Sequence, residues 1–117
     1  MEGAYVSESF YSEKYLFGRK QVLPAGEFLF WEKKARAFVD LYTFGRIKNN
    51  RQLIDEFSDE IGGCLCELSE YLYMNEGNEN KQSEGIIGRS TTYIQGVEYR
   101  ICQRYLFITG LMYRGSK

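Results

Sequence analysis

Between Asn50 and Tyr73 the chain has little freedom in how it can fold. Ile54, Phe57, Ile61, Cys64, Leu65, Leu68 and Leu72 recur at steps of three and four, the spacing of one helical stripe. Asn50 is suited to the N-cap, where its side chain can accept a free backbone N–H. Asp55, Glu56, Asp59, Glu60, Glu67 and Glu70 fill the positions between, which predicts one helix with an apolar side and an acidic solvent side. A stripe of about six turns is too long to leave in water. The flanking segments must cover it.

Two of them carry matching patterns. Phe28, Trp31, Ala35, Phe38 and Tyr42 repeat at three and four, widened by Val39, while Glu32, Lys33, Lys34, Arg36 and Asp40 fall outside the stripe. Pro24 suits the first turn of that helix, and Gly45 suits its left-handed cap. The predicted helix therefore runs over about 24–44. Arg46 to Asn50 reads as a short basic turn, which makes the two long helices, about 24–44 and 51–73, antiparallel neighbours. Near the C-terminus, Val97, Ile101, Tyr105, Ile108 and Leu111 or Met112 define a last helix over about 96–112, with Cys102 alongside and Gly110 loosening its end.

The other segments are less regular. Tyr5, Phe10, Tyr11, Tyr15 and Phe17 sit among polar residues, consistent with a short helix over Ser7 to Leu16 stopped by Gly18. An arm lying on a neighbouring chain fits them equally well. From 75 to 94 the chain is first polar and rich in turn formers, then β-branched and punctuated by glycine. A connection of this length is either a disordered surface loop or a binding loop that orders on a partner. The fold class expected is all-α, in a single domain over 1–117, with this extended loop before the last helix.

Composition narrows the function. A net charge of −1 and a pI near 5.6 speak against binding nucleic acid by charge alone. No apolar run approaches the roughly 20 residues that span a bilayer. Met1 to Ser9 lacks a basic segment followed by an apolar one, so no secretory leader is expected and synthesis in the cytosol is. Ten Tyr, eight Phe and one Trp exceed what a few short helices need for their own core, and Tyr is enriched where protein meets protein.

Candidate chemistry is thin. The chain has no histidine, so the usual general base and commonest metal ligand are missing. Cys64 and Cys66 point about 200° apart on a helix and cannot share a metal; with Cys102 they read as small buried hydrophobes. Gly85-Ile86-Ile87-Gly88 lacks the Lys-Ser/Thr of a phosphate loop. Gly62-Gly63 marks a close approach or a bend, at about 1 kcal/mol per glycine. The residues give no ground for catalysis, a metal or a cofactor.

Three blocks resemble the head–tail connector, or head-completion adaptor, proteins of long-tailed double-stranded DNA bacteriophages and prophages. They are Pro24-Ala25-Gly26-Glu27-Phe28 with Ala35 and Asp40-Leu41-Tyr42-Thr43-Phe44-Gly45-Arg46-Ile47; then Ser83-Glu84, Gly88, Ser90, Thr92 and Tyr93; and last Tyr105-Leu106 with Thr109-Gly110-Leu111-Met112-Tyr113-Arg114-Gly115. Their order and spacing agree from Tyr5 to Gly115, although Thr92 stands where the family more often has serine.

The resemblance implies a structural protein that assembles as a ring of about a dozen copies beneath the portal. Such a ring extends the DNA channel and joins the portal to the next completion or tail protein. DNA is then a partner only in passage, and the protein belongs to the host cytoplasm during assembly and to the virion afterwards. Ser90, Thr92, Tyr93, Tyr113, Arg114 and Gly115 are the expected contact residues. Asp55, Asp59, Glu60 and Glu67 are the expected channel-facing acids, since negative walls let DNA slide. Two other classes remain in view: a small regulatory nucleic-acid-binding protein using Arg46, Lys48 and Arg51 on phosphates, and an enzyme, which needs converging carboxylates in a pocket.

Overall fold

A computed structural model describes residues 3–76 and 96–113. Helices account for most of these residues and no strand occurs among them, so the fold is all-α. In chain order they are an N-terminal π-helical turn (Phe10–Tyr15), α1 (Phe28–Tyr42), α2 (Arg46–Asn49), α3 (Gln52–Glu56), α4 (Ser58–Glu76) and α5 (Val97–Leu106), followed by a 3₁₀ turn (Phe107–Thr109).

α4 is the centre of packing, touched by α1, α5, α3 and the π-helical turn. Its inner residues Ile61, Cys64, Leu65, Leu68 and Leu72 are buried against Phe28, Trp31, Ala35, Val39 and Tyr42 of α1 and Ile101, Cys102 and Leu106 of α5. Trp31, early in α1, meets Tyr73, late in α4, with ring centroids 5.7 Å apart; Tyr42 meets Tyr99 at 5.1 Å. A fully buried Leu, Ile or Phe among them contributes about 1.5–3 kcal/mol. A half-exposed ion pair such as Arg104–Glu67 contributes about 0–1 kcal/mol. Apolar packing therefore sets how α5 sits on α4.

Several boundaries differ from the sequence expectation, for local reasons. The predicted continuous helix over 51–73 is broken at Phe57 (φ −118°, ψ 45°), which leaves α3 as a separate short helix. The apolar period runs through this break unaltered, so periodicity cannot reveal it. Asn50 does not cap that helix; it ends α2, and its carbonyl accepts from the Leu53 N–H at 3.0 Å. α4 continues past Tyr73 to Glu76, so Asn75 and Glu76 belong to the helix rather than the loop.

α1 begins at Phe28 rather than at residue 24. Pro24 to Glu27 form a tight turn closed by Glu27 N–H donating to the Pro24 carbonyl, with Gly26 at φ +83°. At its other end Gly45 N–H donates to the Asp40 carbonyl and Phe44 N–H to that of Leu41, the paired bonds of a Schellman cap. Phe44 itself adopts a left-handed φ of +59°, a conformation costing a residue with a Cβ about 1–2 kcal/mol. α5 stops at Leu106, earlier than residue 112, and Gly110 turns the chain at φ +79°. Leu106 is buried where Val97 and Ile108, assigned to the stripe, are exposed.

The N-terminal segment packs on its own chain. Leu16 N–H donates to the Tyr11 carbonyl five residues back, the bond of a π-helix. Phe10 rests on Gly62 of α4, where an added Cβ would lie 2.4 Å from its ring tip. Gly63 receives the Tyr105 ring in the same way, at 2.6 Å. The close approach expected at the two glycines is made by rings from two different segments, not by backbone.

Candidate interaction surfaces

The carboxylates of α4 divide into two groups with different surroundings. Glu67 and Glu70, expected on the solvent side, are held within the fold. Glu67 Oε1 accepts from Arg104 Nη1 and from the Tyr105 hydroxyl, each at 2.9 Å. Glu70 Oε2 accepts from the Tyr11 hydroxyl at 2.9 Å, and Oε1 from that of Tyr15 at 3.5 Å. The Tyr11 hydroxyl in turn accepts from the Val22 and Leu23 N–H groups, which pins the segment leading to Pro24.

Burial raises the Glu70 pKa against the opposing pull of Tyr11, Arg19 and Tyr15. Desolvation, with the charges of Glu70 and Glu67, pushes Tyr15 up to about 12. Tyr105 is raised too, first by desolvation and then by its bond to Glu67. Phenols that stay protonated keep donating, so the cluster works as a clamp between the N-terminal turn, α4 and α5. No buried side-chain oxygen or nitrogen among the described residues lacks a partner.

Of the four expected channel acids, Asp55 and Asp59 are exposed and Glu60 is half-buried. Glu67 is withdrawn from that row by Arg104 and Tyr105. Glu32, placed outside the apolar stripe of α1, is wholly buried: it accepts from the Tyr5 N–H at 2.8 Å and from Arg36. The Arg36 and Arg51 guanidiniums both lie over the Tyr5 ring, 5.6 and 5.2 Å from its centroid. Its hydroxyl donates to Asp40 at 2.7 Å.

Two of the three cations considered for phosphate contact are engaged inside the chain. Arg46 donates to the Leu111 carbonyl at 2.6 Å and lies over the Phe44 ring, and Arg51 donates to the Ala4 carbonyl. Lys48 is exposed. Cys64, Cys66 and Cys102 are free and buried, and desolvation with neighbouring carboxylates raises the Cys66 thiol well above its ordinary range. Among the described residues no group of three or more potential ligands is placed to hold a metal. No described helix is long and apolar enough to cross a membrane.

Tyr113 is exposed, as a contact residue must be. Ser90, Thr92, Tyr93, Arg114 and Gly115 lie outside the described residues, as does most of the 75–94 loop. The structure adds apolar surface that the sequence reading did not single out. Phe107 and Ile108, 76 and 82% exposed, crown the end of α5 beside an open shelf of Arg100, Gln103 and Arg104. On the outer side of α1, Phe30, Ala37 and Leu41 are exposed in a second stripe, and Phe44 is exposed just past the helix end. The steps of seven and four were legible, but the stronger inner stripe masked them. No protein-family model matches this chain, nor does any curated protein or solved structure.

Proposed function

We propose that this chain is a structural virion protein: a ring-forming adaptor that docks on the portal at the capsid vertex and connects it to the tail. About a dozen copies would form the ring and extend the DNA channel. The observation that carries this reading is the apolar surface left over after folding. The inner faces of α1, α4 and α5 are already packed, yet Phe17, Phe30, Leu41, Phe44, Phe107, Ile108 and Tyr113 face solvent. Aromatic side chains are enriched where protein surfaces meet other proteins.

In this reading the helical body is the rigid part, and the connection between α4 and α5 reaches a neighbour. Ser90, Thr92, Tyr93, Tyr113, Arg114 and Gly115 make contacts to other subunits, to the portal or to the next completion protein. Asp55, Asp59 and Glu60 supply negative charge to the channel wall, where DNA passes without being held. The protein works at the head–tail junction after assembly in the host bacterial cytoplasm.

Electron microscopy of portal particles incubated with the purified chain tests this. A ring added at one end of the portal supports the reading, and unchanged particles count against it. A ring carrying its α3–α4 carboxylates on the outside removes the channel role alone.

A further inference from the structure

The loop that leaves the N-terminal π-helical turn presents one aromatic ring to solvent. Phe17 is 84% exposed, more than any other large apolar residue among those described. Its backbone sits in the left-handed region at φ +46°, and Gly18 follows at +88°. A bulky residue is disfavoured there, where glycine or asparagine is at ease. Phe17 thus combines a strained backbone with a ring in water, and no core packing of the ring offsets either.

The bonds around it hold this conformation. Leu16, buried at the end of the turn, donates its N–H to the Tyr11 carbonyl at 2.9 Å. The Leu16 carbonyl accepts from the Arg19 N–H at 2.8 Å and from Arg19 Nε at 3.1 Å, and Arg19 Nη2 donates to the Tyr15 carbonyl. The same guanidinium lies over the Tyr15 ring, 4.9 Å from its centroid. Strain persists only where neighbours over-determine it. Arg19 does so here, closing the loop across Phe17 and Gly18 and leaving the ring outside.

Charge indicates what the ring meets. From Lys14 to Gly26 the chain has three cations and no carboxylate. Lys14 and Lys20 are exposed and form no ion pair among the described residues. One rigid ring in basic surroundings suits an apolar pocket rimmed by carboxylates on another protein. A bilayer needs more apolar area than one ring offers. Nucleic acid would meet a chain whose net charge is −1.

We infer that Phe17 is a preorganised docking anchor, received by an acid-rimmed apolar pocket on a protein partner, with Lys14 and Lys20 facing that rim. The anchor rests on the adaptor reading and makes the portal that partner. Because the ring is held in place before contact, little ordering opposes binding.

The test measures binding of the full chain to portal particles by sedimentation at low and raised salt, beside urea denaturation of the free chain. Phe17→Asn removes the ring and keeps a residue that accepts left-handed backbone, and Phe17→Gly is the second such variant. Each should leave the denaturation midpoint unchanged or higher, yet weaken portal binding at least about tenfold. Lys14→Glu with Lys20→Glu should weaken binding several-fold at low salt and less at raised salt.

A Phe17 variant that binds as the unaltered chain does overturns the anchor and leaves the adaptor reading standing. So does a lowered denaturation midpoint, which makes the ring a structural contact, or a pair of lysine changes without effect. Phe17-dependent binding to phosphatidylserine vesicles or to a single-stranded oligonucleotide, in place of portal particles, overturns it too. An unaltered chain that does not bind portal particles removes the adaptor reading and the anchor together.

Discussion

Arg36 reaches one turn back along α1 and grips the carboxylate of Glu32, with Nε and Nη2 3.0 and 2.8 Å from Oε1. Glu32 is wholly buried, and its other oxygen accepts from the Tyr5 N–H. A charge inside the core thereby ties the N-terminus to α1. Glu32→Ala should cost about 3–5 kcal/mol, since it strands Arg36 and the Tyr5 N–H together. Glu32→Gln, which keeps an acceptor for Tyr5, should cost less. Urea denaturation of the two variants measures both values.

The paired glycines of α4 should differ in their tolerance of alanine. At Gly63 the new methyl meets the side of the Tyr105 ring, which Glu67 holds by its hydroxyl. At Gly62 it meets the tip of Phe10, a half-exposed ring able to swing out. Gly63→Ala should destabilise by about 1–3 kcal/mol through overpacking. Gly62→Ala should stay within about 1 kcal/mol of the original, because the gain in helix propensity offsets part of the clash. Thermal melts of the two proteins decide the order.

Alkaline pH should loosen the fold as its raised phenols ionise. Tyr15 is pushed up to about 12 in the folded state, from 10.0, and Tyr5, Tyr11 and Tyr105 are also raised. Above pH 10 the unfolded chain releases phenol protons that the folded chain keeps, so stability falls as pH rises through the folded values. Tyrosinate absorbance should show the folded protein titrating above the denatured chain, and Tyr15→Phe should remove part of the difference. Glu70, raised chiefly by burial, adds a decline of the same sign as its carboxyl ionises.

Arg46 fastens the C-terminal turn to the α1–α2 corner through the Leu111 carbonyl. Arg46→Met should lose about 1–2 kcal/mol, the worth of a charged donor on a carbonyl in a half-buried setting. Hydrogen exchange should accelerate at Leu111 and Tyr113, whose amides donate to Thr109 and Gly110, and leave Leu65 and Leu68 protected. Uniform acceleration would mean that the turn unfolds with the core.

What was legible in the sequence follows from what is local. The inner stripe of α1, from Phe28 through Trp31, Ala35 and Val39 to Tyr42, reads directly from its spacing, as do Ile61, Leu65, Leu68 and Leu72 on α4. The turn at Gly45 is equally local. Glu32 was not legible, because a glutamate inside a helix reads as solvent-facing until Tyr5, 27 residues away, supplies its donor. Glu67 and Glu70 were misplaced for the same reason: their phenol partners lie 38 and 59 residues away. The break at Phe57 leaves the apolar period intact. Of the contact residues, only the exposure of Tyr113 is open to inspection among the described residues.

Mass photometry of portal particles mixed with the purified chain tests the central claim most directly. The adaptor reading predicts that portal particles gain the mass of about a dozen 13.7 kDa copies, in one saturable step. Portal particles whose mass stays unchanged at saturating chain would contradict it.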